Sequence, residues 1–288
     1  MTVKVGYERG GDRPIELTME EFERYARTNT DDTPMYVFDG AVHEDGEIGT
    51  KVMAQYRVPS IFEEDLFQLV EDRRHPDSPS YRWLLIGPKR SGSVCHNDPL
   101  GTSAWNTLLS GRKLWFLAPP HLEDAVLATK DPKVARWFLE QVPKLRARYG
   151  DEINLYVQHP GETMFVPGFW MHAVLNLDDA TAVTQNFVST HNFPEAWEYT
   201  KLYRRSFADA WLEQLVRQRQ DLAQVALKIN SESRAAKKAR RTEARRRGFR
   251  GGSSRDEFEF DDDDDDDDET EDVNDDDDEF GYGDDYEL

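Results

Sequence analysis

An antiparallel β-barrel or double-sheet jelly roll is the fold class this chain predicts, and three observations carry the prediction. Short apolar runs rich in β-branched and aromatic residues stand at 81–86, 113–117, 153–158, 162–166, 171–177 and 181–188. Gly, Pro and Asp turns such as Gly87-Pro88, Pro119-Pro120 and Pro167-Gly168 punctuate them. Three of the later runs crowd together and a fourth follows at once, the spacing of an all-β double sheet.

The remaining elements are read in chain order. Residues 3–17 are mixed and turn-rich. Thr18-x-x-Glu21 is a capping box, so a helix starts there with Phe22 and Tyr25 as its apolar positions. Met35 to Phe38 reads as a short strand, 39–52 as loop, 63–72 as a short acidic helix, and 74–80, with Pro76 and Pro79, as loop. Residues 121–128 and 131–148 read as helices, the second with Val134, Trp137, Phe138 and Val142 on one face and a kink at Pro143. Past Phe193-Pro194, Trp197, Tyr203, Phe207, Trp211, Leu215 and Leu222 recur at helical spacings. This stripe is expected to pack on the barrel, with a homodimer surface through the C-terminal helices as the second choice.

Composition sets the outer limits. The 288 residues suffice for one sizeable domain plus tails, and the net charge of −21 is unevenly placed. Residues 256–288 hold 22 acids and no Lys or Arg, leaving 35 acids against 36 bases in 1–255. Arg234 to Arg255 contains 10 bases and one acid, Glu243. The expected organisation is a folded domain over 1–230, a basic linker over 231–255 and an acidic disordered tail over 256–288, because neither tail can bury enough apolar surface to offset its ordering entropy. The single cysteine, Cys95, excludes an internal disulfide and a cysteine zinc cluster. No apolar run reaches membrane-spanning length and the first residues lack an apolar signal core, so the expectation is a non-membrane, intracellular protein.

The chemistry begins at His96-Asn97-Asp98. On an extended chain residues two apart point the same way, so one imidazole and one carboxylate share a face. Alone, such a triplet usually binds nothing. With a second imidazole it becomes two histidines and a carboxylate, the set that holds non-haem Fe(II) and leaves positions open. His172 is the candidate, placed on a new strand by a β-hairpin turn at Pro167-Gly168. His43, His75, His121 and His159 sit in loop or cap contexts, and His191 follows the last strand. From the residues alone, His172 is better read as a satisfied core histidine. Cys95 and Asn97 are expected to point opposite ways, with Asn97 away from the metal.

Longer motifs surround these positions. Gly87-Pro88-x-Arg90-Ser91-Gly92, the run His96-x-Asp98-Pro99-Leu100-Gly101-Thr102-Ser103-Ala104-Trp105-Asn106, and Gly161-Glu162-Thr163-x-Phe165-Val166-Pro167-Gly168 are joined by His172-x-Val174-Leu175-Asn176-Leu177-Asp178 and Thr184-Gln185-Asn186-Phe187. Together they resemble the JmjC-domain oxygenases over roughly residues 3–200, and most of all the phosphatidylserine-receptor-like branch of arginine demethylases and lysyl hydroxylases. The resemblance implies a mainly β, cupin-like double-stranded β-helix with flanking helices. It implies His96, Asp98 and His172 as Fe(II) ligands and as the catalytic centre. It further implies that Lys113 and Thr184 hold the distal carboxylate of 2-oxoglutarate, with Asn106 and Tyr36 as further cosubstrate contacts. A buried dicarboxylate needs such a cation and neutral donors. The implied reaction is oxidative decarboxylation of 2-oxoglutarate with O2, coupled to hydroxylation of a side-chain carbon or to demethylation through an N-methyl carbon. Family members usually carry residues before the segment resembling Val3 to Phe38, which leaves open a fragment, a different start site or a less stable core.

The tails suggest the partner. Lys237-Lys238-Ala239-Arg240-Arg241 through Arg245-Arg246-Arg247 has the composition of a nuclear localisation or nucleic-acid segment, and the acidic run after it could attract basic proteins. The expected substrate is a Lys/Arg-rich nuclear protein of the histone or splicing-factor class, with RNA contact through 234–250 and a nuclear, also cytoplasmic, location. Two other readings stand beside this one: a non-enzymatic RNA- or chromatin-binding jelly roll, and a tRNA or small-molecule oxygenase on the same scaffold.

Overall fold

The computed structural model describes residues 2–6, 15–40, 51, 54, 56–70, 75, 78–79 and 81–232. The expectations for the basic block, the acidic tail, His43 and most of the 39–52 loop lie outside the described residues. Residues up to Ala226 group into one compact unit; of the second, Leu227–Asp284, only 227–232 are described, and they are helical.

Among the described residues, eleven strands form two antiparallel sheets. In chain order they are β1 (Thr2–Gly6), β2 (Ile15–Thr18), β3 (Tyr36–Asp39), β4 (Arg82–Gly87), β5 (Gly92–His96), β6 (Ser103–Ser110), β7 (Lys113–Ala118), β8 (Asn154–Gln158), β9 (Thr163–Val166), β10 (Met171–Asn176) and β11 (Ala180–Phe187). One sheet runs β2-β1-β3-β4-β11-β6-β9 and the other β5-β10-β7-β8. This is the predicted double-sheet architecture.

Alternation decides what each strand contributes. On β10, His172, Val174 and Asn176 face a cavity between the sheets, while Met171 and Ala173 pack with Phe116, Trp137 and Val142 beneath a helical layer. On β7, Lys113 and Trp115 face the cavity and Phe116 and Ala118 face that layer. The layer consists of α2 (Glu123–Leu127), α3 (Val134–Glu140) and α4 (Val142–Tyr149), the last two broken at Gln141 beside the expected Pro143 kink. Two longer helices, α5 (Phe193–Tyr203) and α6 (Arg205–Gln218), follow the barrel. Their stripe packs inward except for Tyr203, which is exposed: Trp197, Trp211 and Leu215 are fully buried, Phe67 packs on Trp211, and the Trp211 indole donates to the Leu66 carbonyl at 2.8 Å.

Several expectations need correction. The stretch read as turn-rich forms β1 and β2, paired Val3↔Leu17 and Val5↔Ile15, with Val3 and Val5 buried against Phe22. Alternation over so few residues is too short a pattern to stand out from turn composition. Strand β6 escaped notice because its residues read as motif. In place of the acidic helix expected at 63–72, the described residues 63–70 hold one 3-10 turn, Leu66–Leu69, preceded by another at Ser60–Phe62; the Asp65 carboxylate caps the later one by accepting from the Phe67 amide at 3.3 Å. Pro167-Gly168 is not a hairpin turn. Strand β9 pairs with β6 and β10 with β5 and β7, so this turn carries the chain from one sheet to the other. The helix at 19–28 has the predicted capping box, with the Glu21 amide donating to Thr18 Oγ1 at 3.2 Å and the Thr18 amide to Glu21 Oε2 at 2.9 Å.

Gly92 sets the closeness of β5 and β10. Its φ is +153°, and a Cβ there would lie 1.9 Å from the Val174 carbonyl oxygen. Gly161 has φ +87° but open space around its missing side chain. Gly92→Ala should therefore cost more than about 2 kcal/mol, because both conformation and contact oppose it. Gly161→Ala should cost only the conformational penalty of about 1–2 kcal/mol. Urea denaturation midpoints compare the two, and equal losses would refute the close-contact account.

Candidate functional site

Strand register brings the first three residues together. His172 on β10 lies directly opposite His96 on β5, and the ring centroids are 4.2 Å apart. Asp98 follows β5 in extended backbone, φ −71° and ψ 143°, which returns its side chain to the His96 face. The ligand-capable atoms of His96, Asp98 and His172 all lie within 4.8 Å of one another, and all three residues are buried.

Each imidazole is oriented by its own strand. His96 Nδ1 lies 2.8 Å from the Val94 carbonyl and His172 Nδ1 lies 3.0 Å from the Trp170 carbonyl. A carbonyl only accepts, so Nδ1 carries the proton on both rings and Nε2 is left as a lone-pair donor. Burial, reinforced by the neighbouring His172, holds the His96 pKa down to about 3, so this imidazole is neutral at physiological pH. Burial pushes the Asp98 carboxyl up, against the opposing pull of His172 and of an Asn186 hydrogen bond.

Asp98 Oδ2 is buried with no hydrogen-bond partner and lies 4.0 Å from His172 Nε2. A buried orphan acceptor is costly unless something electropositive completes it. The 4.0 Å gap is longer than a hydrogen bond and leaves room for a cation between the two groups. Two imidazoles and one carboxylate at one end of a cavity therefore fit a divalent first-row metal such as iron.

The same cavity, about 70 Å³, is lined farther along by Tyr36, Asn106, Lys113 and Thr184. All four cosubstrate residues named from sequence thus share one space with the metal ligands. Lys113 is buried, and burial alone lowers its pKa to about 8; its neighbour Arg112 is exposed and paired with Asp178 at 2.6 Å. Asn106 Oδ1 is buried without a partner. The Thr184 hydroxyl donates to the Trp105 carbonyl at 2.9 Å, so its proton is shared with the adjacent strand rather than directed only into the cavity.

Other residues of the site carried no sequence signal of their own. Trp115 lies nearly parallel to the His172 ring, at 25° and 6.3 Å, and its indole donates to Gln158 Oε1 at 2.8 Å. Fully buried Gln158 donates in turn to the Asn106 carbonyl at 2.8 Å, linking β8 of one sheet to β6 of the other. Asn186 donates to Thr102 Oγ1 at 3.1 Å beside Asp98. Only the places of Asn176 and Asn186 inside quoted motifs marked them. Cys95 and Asn97 do not diverge as expected, since residues two apart share a side. Cys95 packs with Phe116 and Ala118 under the helices, and Asn97 reaches Glu123 at 3.4 Å. Among the described residues the other histidines stand apart: His121 pairs with exposed Glu152 at 2.7 Å, and His75 packs edge-on against Phe207.

Residues 83–187, which include all the cavity residues named above except Tyr36, match the family described as JmjC domain, hydroxylase. The chain carries a JmjC domain over these residues. It is 36% identical over 221 residues to the bifunctional arginine demethylase and lysyl-hydroxylase psr-1 of Caenorhabditis elegans, a match covering 73% of this chain and 54% of that protein. It is 39% identical over 190 residues to the lysine-specific demethylase JMJ21 of Arabidopsis thaliana, covering 62% and 19%. The 2-oxoglutarate and iron-dependent oxygenase JMJD4 of Mus musculus is 29% identical over 150 residues, covering 50% and 34%. The chain thus spans about half or less of the length of these relatives.

Lys113 allows a test without ligand. Its ordinary pKa of 10.5 is lowered to about 8 in the folded chain. Between those values the unfolded chain binds a proton that the folded chain has released, so this residue makes stability rise with pH over that window. Lys113→Met should raise the stability of the metal-free protein at pH 7, by up to about 3 kcal/mol, and reduce its rise towards pH 10. Urea denaturation at both pH values reads the difference from the parent; a less stable variant with the same pH slope would refute the buried cation.

Proposed function

We propose that this chain is an Fe(II)- and 2-oxoglutarate-dependent dioxygenase that hydroxylates lysyl residues or demethylates methyl-arginine in basic nuclear proteins. One observation carries the reading. A compact His96, Asp98, His172 set and a buried, unneutralised lysine occupy the same cavity, giving a metal-fitting end and an anion-fitting end.

His96, Asp98 and His172 would hold the iron, and Lys113, Thr184, Asn106 and Tyr36 the 2-oxoglutarate. When bound, iron and 2-oxoglutarate supply the oxidising power that, with O2, inserts one oxygen atom into a substrate C–H bond while the cosubstrate becomes succinate and carbon dioxide. The chain's own task is placement. Nδ1–H donation to Val94 and Trp170 fixes both imidazoles before metal arrives, which lowers the reorganisation needed on binding. Lys113 fixes one end of the dicarboxylate by charge, a stronger contact in a buried site than in water. Trp115 and Val174 make the wall between them apolar and keep water from the reacting face.

Arginine demethylase and lysyl-hydroxylase are words in the names of relatives, and they support this substrate class for the chain. The basic and acidic tracts of 234–288 support a nuclear location and a Lys/Arg-rich protein partner, with RNA contact through the basic part. Self-association through the C-terminal helices would use the outward faces of α5 and α6, where Leu202 and Val216 are exposed.

Purified chain supplied with Fe(II) should consume 2-oxoglutarate, and His96→Ala should lower that turnover by more than about 100-fold. Continued turnover in the variant would remove the iron assignment. Mass spectrometry of a methylated Lys/Arg-rich peptide after incubation distinguishes a gain of about 16 Da, an inserted oxygen, from a loss of about 14 Da, a removed methyl group.

A further inference from the structure

Asn176 has no role in the cosubstrate set above, yet it occupies the decisive end of the cavity. It is buried, lines the cavity, and lies directly opposite Lys113 in the β10–β7 register. Directly opposed residues of antiparallel strands have Cβ atoms about 4.5–5.5 Å apart and project to the same face.

Its amide is anchored on one side only. Asn176 Nδ2 donates to Ser91 Oγ at 2.9 Å, and the Ser91 hydroxyl donates onward to the Pro88 carbonyl at 2.6 Å. The backbone carbonyl can only accept, so the chain of donors has one direction and fixes which end of the amide is oxygen. Gly87 is shaped to this pair: a Cβ there would lie 2.4 Å from Ser91 Oγ and 2.6 Å from Asn176 Nδ2. Asn176 Oδ1 is then left buried without a partner. The facing residue is an ammonium with three donors and no carboxylate pairing it among the described residues.

We infer that Asn176 is a positioning residue for Lys113: when a 2-oxo diacid binds, the open Oδ1 takes one N–H of the lysine ammonium and aims the remaining donors at the distal carboxylate. A neutral acceptor suits this task better than a carboxylate, because it orients the cation without cancelling the charge that the ligand needs. The inference rests on the cosubstrate reading above, and it predicts selectivity for ligands that carry a second carboxylate.

Calorimetric titration of the full chain loaded with Mn(II) tests it without turnover, using 2-oxoglutarate and pyruvate, which lacks the distal carboxylate. Asn176→Leu should bind 2-oxoglutarate about tenfold more weakly, the size of one hydrogen bond to a charged group, with affinities for Mn(II) and pyruvate unchanged. Parent-like 2-oxoglutarate affinity, or an equal loss for pyruvate, would overturn the inference. Should the leucine variant fail to fold, Ser91→Ala keeps the amide and removes its anchor. It should weaken 2-oxoglutarate selectively, and unchanged binding would overturn the inference. If the parent chain itself binds no 2-oxoglutarate, it is the proposed function that fails, a result distinct from either variant outcome.

Discussion

The position of β10 between β5 and β7 is the constraint on which the site depends. One ladder sets His172 against His96, and the other sets Asn176 against Lys113. A slip of one residue on this strand would turn every cavity-facing side chain into the helical layer and bring Met171, Ala173 and Leu175 into the cavity. The helical layer resists that slip because it buries Ala173 and Met171 completely among Phe116, Trp137 and Val142. The apolar face of β10 thus specifies the position of its polar face. Packing on one side and chemistry on the other are two readings of the same register.

Burial then gives those polar groups their character. His96 is kept neutral, Asp98 is pushed towards protonation, and Lys113 is held nearer to losing its proton than a lysine in water. Each of these conditions opposes stability unless a ligand of opposite character is present. A fold that retains three such groups in one cavity has been shaped around what it binds. Their order along the cavity, from lone pairs and carboxylate to ammonium, is that of a metal followed by an anion.

Much of this was legible in the sequence, and the reasons differ by residue. His96 and Asp98 could be placed on one face because strand alternation is a strict rule. Lys113 stood out only through motif resemblance, since its place beside Arg112 gives no sign of which of the two is buried. The double sheet was readable from 81–86 and 113–188, where apolar runs and turns alternate clearly. Strands β1 and β2 were not, because Val3 and Val5 against Lys4 make too short a pattern. The supposed hairpin at Pro167-Gly168 shows another boundary: turn residues announce a change of direction but not which sheet receives the next strand. Gln158 carries no signal, and Asn176 none beyond its place in a motif, for a related reason. An amide reads as surface until the partners that satisfy it, eighty-five residues away for Ser91 and fifty-two for Asn106, are known.

Gln158 has a consequence for size. By joining Trp115 in one sheet to the Asn106 backbone in the other, it fastens the walls of the cavity beside Lys113, which it faces across the β7–β8 ladder. A buried, fully satisfied amide across two sheets resists spreading, since parting them would strand its donors and acceptor together. The barrel therefore behaves as a gauge of fixed length. If the proposed diacid spans from the metal-fitting end to Lys113, a bore fastened in this way would favour one length of molecule over shorter and longer ones.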